Sequence, residues 1–102
     1  MYKIYDDRTI KESIAEISEV LGVDITLRIQ SRKYVYARWA FWFMLKSSGC
    51  SKSRISRATG FNRQTVQNGL ANFPGLIAIN DPLAKNYLTK IIDYVDRKRK
   101  SE

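Results

Sequence analysis

Ile10, Ile14, Ile17 and Leu21 recur at steps of four, three and four, the spacing that lines one face of an α-helix. Asp7 stands where a cap would open this helix and Gly22 where a left-handed residue would close it. Lys11, Glu12, Glu16 and Glu19 fall on the other faces, giving an acidic-leaning scaffold with an apolar core stripe. Val23 to Gln30 breaks the period and is expected to turn, with one short helical turn after Asp24. A long helix follows over about Tyr34 to Ser47, ending near Gly49. Val35, Trp39, Trp42 and Leu45 keep the 3.6 period, while Tyr36, Phe41, Phe43 and Met44 fill most of the remaining circumference. A helix apolar nearly all round belongs at the centre of a domain. The competing uses of its aromatic residues are stacking on bases or an exposed patch for a protein partner.

Two shorter elements come next. Ser51 suits the N-cap of a helix over Lys52 to Thr59 with Ile55 and Ala58 inward, and Gly60 turns the chain. Asn62 caps a second helix in which Val66, Leu70 and Phe73 share a face, and Pro74 and Gly75 predict its end, with Ile77 to Asn80 as connection. Asp81 followed by Pro82 opens a last helix whose stripe is Leu83, Tyr87, Ile91 and Val95, with Leu88 and Ile92 alongside. That helix is expected to pack back on the domain or to pair with a second copy in a homodimer. The pattern predicts an all-α fold: one small helical domain over residues 1–102, with a central helix-turn-helix and an added C-terminal helix over about 81–99.

Charge changes the picture because it is segregated. Arg28, Arg32, Lys33, Arg38, Lys46, Lys52, Arg54, Arg57 and Arg63 lie between Ile25 and Asn80, and no carboxylate lies among them. Residues 1–24 carry net −3 and residues 81–102 net +2, within a total of +8. A one-signed surface suits a phosphate backbone, since each neutralised phosphate releases a condensed counterion. The closing run from Arg97 to Lys100 can add nonspecific phosphate contacts. A solvated basic face is the plainer reading.

Other chemistries are narrowed by what the chain lacks. It has no histidine and one cysteine, Cys50, which excludes His-dependent triads, His–Cys dyads, common zinc sites and an intramolecular disulfide. The isolated glycines form no phosphate-cradling loop. No catalytic residue, metal or cofactor is expected. The most apolar run, Trp39 to Leu45, is too short to span a bilayer, so a cytoplasmic protein without a membrane partner is expected.

The second helix of the central pair carries Arg63, Gln64, Thr65, Gln67 and Asn68 around its first two turns. Arg, Gln and Asn pair bidentately with guanine or adenine edges, and Thr can meet a thymine methyl, so these residues are assigned to the major groove. Ser51, Lys52, Arg54 and Arg57 on the first helix are assigned to phosphates, as are Lys33 and Arg38.

Three segments, in order and spacing, resemble the DNA-binding C-terminal domain of the bacterial replication initiator DnaA, whose helix-turn-helix is of the Trp-repressor-like type. "ISEVLGVDI" is similar to that family's first helix and turn, "SRKYVYAR" to its basic loop entering the long helix, and "SKSRISRATGFNRQTV" to its helix-turn-helix signature; together they cover about residues 9–73. The resemblance implies that Arg32 enters a minor groove, that Arg38 opens the long helix, that Ser51 and Ile55 match the first helix of the motif, and that Thr65, with Val66 behind it, contacts a base. The chain departs from the pattern at Phe61, Asn62 and Arg63, where the family has Arg-Asp-His, and at Gln64, Ser56 and Asn68. It also lacks the family's ATPase module. The expectation is therefore a sequence-specific double-stranded DNA-binding protein acting in replication control or transcription: a repressor, origin-site competitor or accessory factor, of phage or mobile-element kind. The alternatives are a protein-interaction module of the same fold that binds a replication or regulatory protein, and a single-strand or RNA binder using exposed Tyr34, Tyr36 or Phe61.

Overall fold

The computed structural model describes residues 7–100, apart from the side chains of Asp7 and Arg99. Five helices follow one another: α1 (Asp7–Leu21), α2 (Arg32–Ser47), α3 (Lys52–Thr59), α4 (Arg63–Ala78) and α5 (Pro82–Lys100). The described residues form a small all-α domain. None of the helices is long and apolar enough to cross a membrane. The expected capping of α1 by the Asp7 side chain, and Arg99 of the closing basic run, lie outside what is described.

α2 is the axle. Ala37, Ala40, Phe41, Trp42, Met44 and Leu45 are buried along it, and α3, α4 and α5 all pack on it. α1 lies against α3 and α5, with Ile10, Ile17 and Leu21 in the common core. α5 contributes Ala84, Tyr87, Ile91 and Tyr94 to that core, leaving Ile92 exposed with Leu88 and Val95 half-buried beside it. The expected stripe of α5 is thus shared between a core face and a partly open flank.

Gly69 decides how close α4 comes to α2. A methyl at that position would stand 2.5 Å from Trp39 Cδ1 and 2.8 Å from Trp42 Cε3, so only glycine lets the two helices meet at this depth. Val66 and Phe73 flank it on the same buried face, and Phe73 meets Phe43 at 5.4 Å between ring centroids.

Two boundaries differ from expectation. α2 begins two residues earlier than Tyr34, because the Ser31 carbonyl already accepts from the Tyr34 and Val35 amides at 3.1 and 3.0 Å. Arg32 and Lys33 therefore sit in the first helical turn instead of in a preceding basic loop. α4 runs through Pro74 and Gly75 to Ala78, so the connection is Ile79 to Asp81, not Ile77 to Asn80. Proline removes one amide from the ladder, but Phe73 before it is fully buried, and Leu76 and Ile77 after it pack on the core, so tertiary burial holds the extra turn. Asn80 at φ 59° then bends the chain into α5, where Asp81 accepts from the Ala84 amide as the expected cap.

The ends of the molecule are tied through Glu16. Its carboxylate accepts from the Tyr94 hydroxyl and from Lys98 Nζ, the latter at 3.1 Å, linking α1 to α5. The tyrosine hydrogen bond first, and the lysine second, hold the Glu16 carboxyl below its ordinary value of 4.5. A folded-state value depressed in this way stabilises the fold above the unfolded value and ceases to do so as pH falls through the folded one.

Thermal unfolding followed by circular dichroism tests both features. Gly69→Ala should destabilise by about 1–3 kcal/mol through overpacking, less the helix propensity it gains, and lower Tm by several degrees. Glu16→Gln should lower Tm at pH 7, and its gap from the unaltered protein should close as pH drops below 4.5. A gap that persists at low pH would show that the tie is not carried by the carboxylate.

Candidate nucleic-acid interface

α3 and α4 pack on each other and have the connectivity of a helix-turn-helix, joined by the three residues Gly60, Phe61 and Asn62. Gly60 takes φ 77°, a left-handed conformation that costs a side-chain-bearing residue, and its amide closes α3 on the Ser56 carbonyl. Phe61 is buried, and its carbonyl accepts from Ser56 Oγ at 2.6 Å. The expected caps are in place: Ser51 Oγ accepts from the Arg54 amide at 3.1 Å, and Asn62 Oδ1 from the Gln64 amide at 2.7 Å.

Burial of Val66, Gly69 and Phe73 turns the opposite face of α4 outward. Arg63, Gln64, Thr65, Gln67 and Asn68 are all exposed there. Gln64 Nε2 donates to Asn68 Oδ1 at 3.1 Å, and Asn72 Nδ2 donates to the Asn68 carbonyl at 2.8 Å, so part of this amide surface is already ordered within α4. Ser51 and Arg57 are exposed on α3, Lys52 and Arg54 half-buried, and Arg32 and Lys33 are exposed at the start of α2. Lys33 Nζ lies 5.9 Å from the Tyr34 ring centre.

α2, α3 and α4 each open with a cation straight after the cap, Arg32, Lys52 and Arg63, and none has a carboxylate in its first turn. The positive end of a helix dipole favours acidic residues, so this arrangement opposes the usual preference by about 0.3–1 kcal/mol per helix at low salt. An anion at these termini would reverse the sign.

Arg38 corrects one assignment. It is 3% exposed and faces inward, not toward phosphate. Nη1 donates to the Leu27 and Ile29 carbonyls at 2.8 and 3.1 Å, and the guanidinium stands 5.1 Å from the Phe61 ring centre. Nε has no hydrogen-bond partner. Burial, and secondarily the charge of Arg28, push its pKa down. Arg28, which the site reading passed over, covers the other approach to Phe61 at 4.4 Å and donates to the Gly60 carbonyl. The two arginines thus fasten the Val23–Ser31 connection to the helix-turn-helix, and with it the chain entering Arg32. The signal for Arg38 was present in the sequence, since it shares a helical stripe with Phe41 and Leu45. Nothing local marks Arg28, whose partners lie 32 residues on.

The aromatic residues of α2 are spent inside the domain. Trp42 is sealed against the edge of Phe61, while Trp39 and Phe43 are half-buried against Gly69 and Phe73. Tyr34 and Tyr36 are also half-buried, and Phe61 is covered, so none stands open on the basic face as a single-strand stacking platform. Among the described residues no cluster of three or more Cys, Asp or Glu could hold a metal ion. Comparison with protein families, with curated proteins and with solved structures gives no match.

Arg38→Met keeps an unbranched, flexible side chain but strips two carbonyls of their donor. It should destabilise by about 1–3 kcal/mol and raise amide hydrogen exchange from Leu27 to Ser31 above that of the unaltered protein. Unchanged exchange in that segment would refute the fastening role.

Proposed function

We propose that this chain is a sequence-specific double-stranded DNA-binding protein that reads the major groove with the outer face of α4. The observation that carries this reading is that α2, α3 and α4 all hold cations and no carboxylate in their first turns, and that α4 exposes Arg63, Gln64, Thr65, Gln67 and Asn68. A helix-turn-helix sets the N-terminal residues of its second helix on base edges while its first crosses the backbone. Arg63, Gln64, Thr65, Gln67 and Asn68 then read bases, Ser51, Lys52, Arg54, Arg57 and Lys33 fix register on phosphates, and Arg32 reaches an adjacent minor groove.

The initiator-like segments supply the process. Segments of that kind suit a repressor, an origin-site competitor or an accessory replication factor. The changed residues around Phe61 to Gln64 argue for a target other than the initiator's usual box. The alternative of a protein-interaction module, motivated by the altered recognition residues and by the aromatic residues of α2, draws less support from the latter, because Trp42 is buried and Trp39 and Phe43 are half-buried against the core.

Fluorescence anisotropy with selected, genomic and initiator-box duplexes at about 0.15 M salt tests the proposal, since screening there removes much of the nonspecific attraction. Tight, sequence-dependent binding is expected; weak, sequence-blind binding that vanishes with salt overturns it. Arg63→Ala or Gln64→Ala should cost about 1–3 kcal/mol at one base position and spare nonspecific affinity, whereas Lys33→Ala should weaken all sequences alike and reduce the salt slope by about one. The symmetry of the selected site reports stoichiometry: a palindrome marks two copies paired through α5, an asymmetric box a single domain.

A further inference from the structure

Lys52 opens α3 directly after its cap and is half-buried on the rim of a groove of about 420 Å³ that lies between the end of α2, the start of α3 and the flank of α4. Phe43, Leu70 and Ala71 form its apolar wall. From this rim the Lys52 ammonium donates to Gln67 Oε1 at 3.3 Å. An ammonium has donors and no acceptor, so it can meet only the oxygen of an amide. The contact therefore favours one orientation of the amide: oxygen toward α3, nitrogen away from it.

Gln67 stands on the exposed face of α4, one turn beyond Arg63 and Gln64. An unrestrained glutamine matches adenine by accepting from N6 and donating to N7, and its oxygen can equally accept from cytosine N4. With one lone pair of that oxygen engaged by a charged donor, the oxygen is a weaker acceptor for a base amino group, whereas the NH2 on the other side is free to meet an acceptor. Guanine offers O6 and N7, thymine offers O4 and adenine offers N7; cytosine presents only its amino donor in the major groove.

We infer that Lys52 is a specificity-determining positioning residue, which by orienting the Gln67 amide makes that reading position favour a base with a major-groove acceptor and discriminate against cytosine. The inference rests on the reading of α4 as the DNA-contacting helix, and it gives Lys52 a task beyond phosphate attraction.

Affinities for a panel of duplexes substituted one base at a time, measured for the unaltered chain, Gln67→Ala, Lys52→Met and Lys52→Arg, test it. Gln67→Ala and Lys52→Met should relax discrimination against cytosine at the same single position, by roughly tenfold, within what one base-edge contact carries. Combining them should relax it no further. Lys52→Arg, which retains a donor, should preserve the preference. In the DNA-free protein, the Gln67 side-chain amide resonances should move in Lys52→Met and stay near their original positions in Lys52→Arg. A Lys52→Met profile that keeps its base preferences, with affinity lost equally on all sequences and the salt slope reduced by about one, overturns the inference and leaves the function intact. Absence of any sequence preference in the unaltered chain overturns both.

Discussion

The approach of α4 to α2 at Gly69 governs the rest of the structure. With no side chain at that position, Trp39 and Trp42 lie directly against the α4 backbone, and Val66 and Phe73 are drawn into the core on either side. Seating one face of a helix fixes the opposite face as well. The exposed row from Arg63 to Asn68 is therefore a consequence of core packing as much as of its own polarity. The same burial carries α4 through Pro74, because Phe73, Leu76 and Ile77 gain more from packing than the missing amide costs.

A second constraint sets the connection before α2. The Arg38 guanidinium gives up hydration to hold two carbonyls beside Phe61, and Arg28 closes over the same ring from the surface. Buried cations are retained where their hydrogen bonds order something that apolar packing would leave loose. Here that is the segment leading into Arg32, which carries exposed Leu27 and Ile29 and makes no helix of its own. The turn between α3 and α4 and the entry into α2 are consequently tied to each other. A surface that must match groove and backbone together gains from such preorganisation.

The electrostatic arrangement runs against isolated stability. Cations at three helix N-termini, in a stretch from residue 25 to residue 80 that holds no carboxylate, leave like charge at the positive helix ends that an anionic partner would relieve. The acidic side of the molecule is used differently. Glu16 is engaged by Tyr94 and Lys98 and serves to close α5 onto α1.

Much of this was legible in the residues themselves. Period alone located all five helices, and Ser51, Gly60, Asn62 and Asp81 marked their ends correctly, because caps and left-handed turns are decided within a few residues of chain. The polar row on α4 was legible for the same reason: once Val66, Leu70 and Phe73 define the inner stripe, the outer one follows. What the sequence could not decide were matters settled by partners far along the chain. Arg38 lies on an apolar stripe, but the Leu27 and Ile29 carbonyls that receive it come from the connection before the helix; Arg28 acquires a role only when the fold brings Gly60 and Phe61 to it; Pro74 reads as a stop until core contacts on both sides hold the helix through it. Local hydrogen bonding and periodicity are properties of the sequence, whereas burial, and with it the choice of which charges face inward, exists only after the helices have packed.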